Sequence, residues 1–278
     1  MTAIAEDIRP PEWTGAALRW SAITLVGAVW ISSAIFGVYI LVFFGGAIPA
    51  NTLQDWNASL PRLYEPHTPL ASVGIGAHFA AGAILLMLGP IQLIGQIRAK
   101  APAIHHWLGR IYAFAALAAG LGGLTFIGVK GTVGGWPMTI GFSMYGALMV
   151  AAAVQTVRHA MARRIDIHRA WAIRLFTLAV GSWLYRMCYG FWFLFAGETG
   201  HTDDFRGWFD YIMDFAFFIP PLIIAELFIR ARRSQATTAG RVGAAAALGG
   251  SALFIALATF FFTVYGWGPA IMMRFGAA

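Results

Sequence analysis

The sequence predicts an all-α polytopic membrane protein, a bundle of seven transmembrane helices with the N-terminus cytoplasmic and the C-terminus outside. Three observations carry that expectation. Hydrophobic residues make up 59% of the 278-residue chain and charged ones 11%, at a mean hydropathy of +0.69, whereas a soluble domain carries about 25% charged residues. Seven apolar runs, roughly 17–45, 69–97, 107–128, 136–158, 169–196, 208–230 and 243–268, are long enough to span, since about 20 apolar residues cross a bilayer. Lys and Arg gather in alternate connections, which the positive-inside bias assigns to the cytoplasm.

In order along the chain, the first run follows an acidic, proline-bearing start (Glu6, Asp7, Pro10, Pro11). That start and the length of the run argue against a cleaved signal peptide. The second run carries His78 between Gly74 and Gly82. Arg98, Lys100 and Arg110 mark the connection to the third run, and Arg158, Arg163, Arg164 and Arg169 the connection from the fourth to the fifth. Arg230, Arg232, Arg233 and Arg241 lie between the sixth and seventh, while the other connections hold little beyond Arg62, Lys130 and Arg206. Pro220-Pro221 interrupts the sixth run and should kink it. The seventh run is Ala/Leu/Phe-rich and is expected at the periphery. Trp56, Trp136, Trp192, Trp208 and Trp267 fall at outer ends and Trp107 and Trp171 at inner ones, as interfacial belts would require.

The chain reads as one domain, 1–278, with a polar-cored bundle over 69–230. Its single cysteine, Cys188, provides no disulfide framework and no CxxC motif. The net charge of +7 lies in short loops, where it sets topology and meets anionic lipid. Nucleic acid is not an expected partner. No nucleophile elbow, phosphate-binding glycine loop or HExxH motif is present.

Charged residues inside spans are costly and mark candidate sites. The fifth run carries Arg174 and Arg186, the sixth Asp214 and Glu226, each pair twelve residues apart, a rise of about 18 Å. Antiparallel neighbours would pair Arg174 with Glu226 and Arg186 with Asp214, as structural ion pairs or as a proton or anion path. His78 falls at the depth of Arg186 and Asp214, and Gln92, Tyr145, Tyr185 and Tyr189 are placed to complete their hydrogen bonds. His78 reads as an axial haem ligand with Gly82 leaving room for a porphyrin edge, or as part of small-residue helix packing. His106 and His168 each open a helix near Trp and Arg, in His106-Trp107-Leu-Gly-Arg110 and His168-Arg169-Ala-Trp171. They could ligate a metal or haem, bind an anionic head group with Arg110, Arg169 and Arg174, or cap their helices.

Ala77-His78, Leu88-Gly89-Pro90-Ile-Gln92, His106-Trp-Leu-Gly-Arg110-Ile-Tyr112, Gly141-Phe142 and His168-Arg169-Ala-Trp171-Ala-Ile-Arg174 together resemble a family of bacterial multi-span membrane proteins described as a domain of unknown function. The resemblance covers roughly residues 70 to 230 and draws attention to His78, Gln92, His106, Arg110, His168, Arg169, Arg174 and Arg186. A looser likeness, to haem-carrying bundles of the cytochrome b561 and ferric-reductase kind, rests on histidines near both faces. The outer-side ligand pair is incomplete here, so that likeness implies at most a single b-type haem on His106 and His168. The expected function is therefore electron transfer in a bacterial inner membrane with haem or quinone. Lipid or small-anion binding or transport, and service as an accessory subunit docking other membrane subunits through its first or last span, are the alternatives.

Overall fold

The structure is a computed structural model that describes residues 10–274; Glu6 and Asp7 lie outside them. The described residues are all-helical, without strands. Helix α1 spans Glu12–Tyr39 and runs on through a π-helical turn, Ile40–Gly45. It is followed by α2 (Pro69–Leu93), a short α3 (Gly95–Lys100), α4 (Pro102–Lys130) and α5 (Gly135–Met161). The second half comprises α6 (Ile165–Ala179), α7 (Gly181–Ala196), α8 (Trp208–Ala216), α9 (Ile219–Ala231), α10 (Thr238–Tyr265) and α11 (Trp267–Arg274). Prolines open α2 and α4, where the missing N–H is one the helix start leaves unbonded anyway. Gly131 (φ 72°) and Gly197 (φ 60°) end α4 and α7 in a backbone conformation other residues adopt poorly.

Among the described residues six segments are long and apolar enough to cross a membrane: Glu12–Gly45, Pro69–Leu93, Pro102–Lys130, Gly135–Met161, Trp208–Ala231 and Thr238–Met273. The run at 169–196, expected as one continuous span, is instead two helices of 15 and 16 residues that meet at Val180. The Tyr145 hydroxyl donates to the Leu178 carbonyl at 2.6 Å just before the break. This buried bond satisfies a carbonyl that apolar surroundings would otherwise leave unpaired. The sixth run breaks too, at Phe217–Phe218, so that Pro220 and Pro221 sit in the first turn of α9.

Helix α2 packs along α4, α4 on α5, and α5 on α6, while α1 lies along α10. One core, containing Leu85, Ala116, Met149, Leu175 and Phe217, joins α2, α4, α5, α6 and the α8–α9 junction. A second, around Phe36, Phe44, Phe79, Trp183 and Met187, joins α1, α2, α7 and α10. The seventh run therefore packs on its partner through Ala244, Leu248, Ala252 and Ala258 rather than standing apart. Trp56 and Trp267, read as belt residues, are buried. The Trp56 indole donates to the Phe44 carbonyl at 3.0 Å and folds the 46–68 connection onto the bundle. Trp107, Trp136 and Trp208 are exposed, as interfacial residues would be.

Candidate functional site

His78 sits where α2 and α4 approach most closely. A Cβ on Gly122 would lie 2.5 Å from the Gly74 carbonyl oxygen, and one on Gly74 would lie 2.9 Å from the Gly122 carbonyl. Only glycines permit that approach, and it brings His78 Nδ1 within 2.9 Å of the Ala119 carbonyl. A carbonyl only accepts, so Nδ1 carries the hydrogen and Nε2 is left as an acceptor. His78, Gly123, Phe142, Tyr145 and Ser182 line a cavity of about 60 Å³, room for a water or two. Gly74 thus performs the small-residue packing, while Gly82, proposed to make room for a porphyrin, faces open space with nothing within 4 Å.

At the basic end of the bundle the histidines sort differently from expectation. His106 is exposed, and Arg110 is exposed over the ring of Trp107, 4.9 Å from its centroid; neither belongs to a polar core. His168 is half-buried, with Nδ1 bound to the Thr156 carbonyl at 2.9 Å. The His105 ring lies in the field of both His106 and His168. With its amide oriented to suit its surroundings, Gln92 donates to His105 Nδ1 at 3.1 Å and accepts from the Gly109 amide at 3.3 Å. Gln92 therefore ties the end of α2 to the start of α4. Arg169 is half-buried, in the field of Arg232. Among the described residues no three His, Cys, Asp or Glu side chains are arranged to hold a metal ion.

Arg174 pairs with Glu226 at 2.5 Å, joining α6 to α9, and its guanidinium lies 4.7 Å from the centroid of Trp171. Glu226 also borders a groove of about 470 Å³ between α5 and α9. Met144, Leu148, Phe218, Leu222, Ile223 and Leu227 form its apolar wall, with Arg230 at its basic end. The α9 residues recur every three or four positions, so one face of that helix supplies its side of the groove, and Met144 and Leu148 of α5 supply the other.

The second expected pair does not form. Arg186 donates to Ser59 Oγ at 3.2 Å and lies 5.8 Å from the centroid of Phe36, with Tyr39 also in its field. Asp214 lies elsewhere, fully buried, with neither carboxylate oxygen hydrogen-bonded. Helix phase is the reason. On α7 the residues facing α8 are Tyr185 and Tyr189, one turn apart, and Arg186 is rotated by about 100° from Tyr185 toward α1.

What meets the acid-bearing face of α8 instead is a network the sequence reading passed over. Asp210, fully buried one turn before Asp214, accepts from the Tyr189 hydroxyl at 2.6 Å and from His201 Nδ1 at 2.7 Å. The amides of Gly207 (2.8 Å) and Thr202 (3.1 Å) donate to its other oxygen, so the first turn of α8 holds an acid where the helix dipole favours one. Tyr185 donates to Tyr189 at 3.2 Å. His201 lies in the Gly197–Gly207 turn; the signal available in the sequence for this network was the four-residue spacing of Asp210 and Asp214. A second cluster missed from sequence ties the 46–68 connection down: Glu65 bridges Lys130 (2.9 Å) and Arg62 (3.1 Å). The hydrogen bond from Lys130, seconded by Arg62, holds the Glu65 carboxyl below the usual glutamate range.

Residues 75–229 match the model of a family described as "Predicted membrane protein (DUF2306)". No curated protein and no solved structure matches the chain.

Proposed function

The chain belongs to the DUF2306 family of membrane proteins, and on its geometry we propose that it binds an anionic-headed amphiphile of the bilayer in the groove between α5 and α9. The observation that carries this reading is the shape and polarity of that groove. Its volume of about 470 Å³ falls within the roughly 300–1,000 Å³ of small-molecule sites. From Phe218 to Arg230 the wall runs twelve residues, about 18 Å, close to half of a hydrocarbon core about 30 Å thick. An acyl or isoprenoid chain fits the apolar length, and Arg230 with the Arg174–Glu226 pair receives the head. The many Arg residues in the neighbouring connections favour the same charge. Volume argues against a haem beside His78, where the cavity is about 60 Å³.

We read seven passes, taking α6 and α7 together as one broken span. The Lys/Arg bias supports a cytoplasmic N-terminus and an outside C-terminus, which puts the basic end of the groove in the inner leaflet. The motif resemblance supports a bacterial inner membrane. Extraction and mass spectrometry of molecules retained after mild-detergent purification test the proposal. One amphiphile should be retained at near-stoichiometric amount, and both Ile223→Trp, which fills the groove, and Arg230→Ala should deplete it. A retained quinone would identify the redox form of the same reading. Equal retention in wild type and both variants would overturn it.

A further inference from the structure

Asp214 stands apart from the other acids among the described residues. Its side chain is fully buried and both oxygens lack a hydrogen-bond partner. Its own backbone is pressed so closely on α5 that a Cβ at Gly141 would clash with it. The titratable groups facing it are few. Asp210 lies one turn earlier on α8 and Tyr185 reaches it electrostatically from α7. Tyr145 of α5 commits its hydroxyl to the Leu178 carbonyl, and Arg186 is turned toward Tyr39 and Ser59. A buried carboxylate with neither cation nor donor is strongly disfavoured, since nothing replaces the water it gave up. The remaining way to neutralise it is a proton.

We propose that Asp214 is a proton-binding residue, loaded from the end of the bundle that carries the Gly197–Gly207 turn. The route is drawn by the hydrogen bonds already present: His201 Nδ1 on Asp210, Tyr189 on Asp210, and Tyr185 on Tyr189. His201 takes a proton from water on Nε2 and passes the one on Nδ1 to Asp210. With the Tyr189 hydroxyl turned to Tyr185 and the Tyr185 hydroxyl turned toward α8, Asp210 hands it to the Tyr189 oxygen as Tyr189 gives its own to Tyr185, and Tyr185 releases its own to Asp214. One proton moves from water to the Asp214 carboxylate, and the bonds from Tyr189 to Asp210 and from Tyr185 to Tyr189 are those that stand after the transfer. Each cycle therefore requires both hydroxyls to rotate out of their present bonds, and the last transfer spans groups not now bonded. This inference is independent of the groove, and retention of an amphiphile does not bear on it.

Infrared difference spectroscopy of the full chain in nanodiscs, recorded across a pH titration and after pH jumps, tests it. The expected result is a carboxylic C=O band that responds to pH, is lost in Asp214→Asn and is shifted in Asp214→Glu. Tyr185→Phe should slow the response to a pH jump while leaving the band in place. Asp214→Asn should melt with the wild type, because the amide is isosteric with the neutral acid. Should Asp214→Asn fail to fold, the shifted band of Asp214→Glu decides alone. A band unchanged in Asp214→Asn, or in Asp214→Glu where only that variant folds, overturns the proposal. So does a band abolished by Na⁺ at fixed pH, which would make the carboxyl a cation ligand. Destabilisation by Asp214→Asn that Arg186→Gln rescues would restore the structural ion pair in its place.

Discussion

Replacing Gly122 with alanine tests the contact on which the α2–α4 seam depends. The added methyl would sit 2.5 Å from the Gly74 carbonyl oxygen and 3.2 Å from the His78 amide nitrogen, where the closest ordinary C···O approach is about 3.3 Å. The two backbones must separate by nearly an ångström, because the obstructing atoms belong to a helix and have no rotamer to escape into. Overpacking of this kind costs about 1–3 kcal/mol. The same separation stretches the His78–Ala119 bond from 2.9 Å past hydrogen-bonding range, and an interhelical bond in a membrane contributes about 0.6 kcal/mol. We expect Gly122→Ala to lose about 2–3 kcal/mol, read by denaturing-detergent titration of the purified protein. Gly82→Ala is the control: it lies on the same helix as His78, faces nothing within 4 Å, and should cost nothing measurable. If the two variants unfold together, the close approach does not hold these helices and the account of His78 fails with it.

Arg174→Gln and Glu226→Gln should each destabilise by about 1–2 kcal/mol, below the 3–5 kcal/mol of a fully buried pair because both side chains keep some exposure. The double variant should recover part of the loss in the same titration. Glu65, lowered by Lys130 and Arg62, contributes stability above the normal glutamate value that is lost as pH falls through its lowered folded value. Cleavage after Arg62 by an acid-tolerant protease or hydrogen exchange of the 46–68 connection should therefore increase only well below about pH 4, and Glu65→Gln should remove that dependence. Purified protein expressed with added haem should show no Soret band that depends on His78, since the His78 cavity of about 60 Å³ admits no porphyrin; a band lost in His78→Ala would overturn that expectation.

The helical class and the positions of most spans could be read from composition and run length, because a bilayer leaves the backbone no option but internal hydrogen bonding. The twelve-residue spacing brought Arg174 and Glu226 to one level, and the structure joins them. The same spacing misled for Arg186 and Asp214. Depth along two helices is additive in residue number, but contact also needs matching rotation, and the break at Val180 together with the turn at Phe217–Phe218 changes the phase of both helices between the two pairs. The network on Asp210 was hidden for a related reason: His201 belongs to a turn, and nothing local reveals that a turn folds back over a helix start.

Sequence alone thus determined a helical membrane chain, which of its residues are too polar for lipid, and the level at which each sits, since these follow from solvent and from 1.5 Å of rise per residue. Only the tertiary structure decided which way those residues face. It turned Arg186 toward α1, gave Asp210 four donors and left Asp214 with none, because rotation about a helix axis is set by what packs against it.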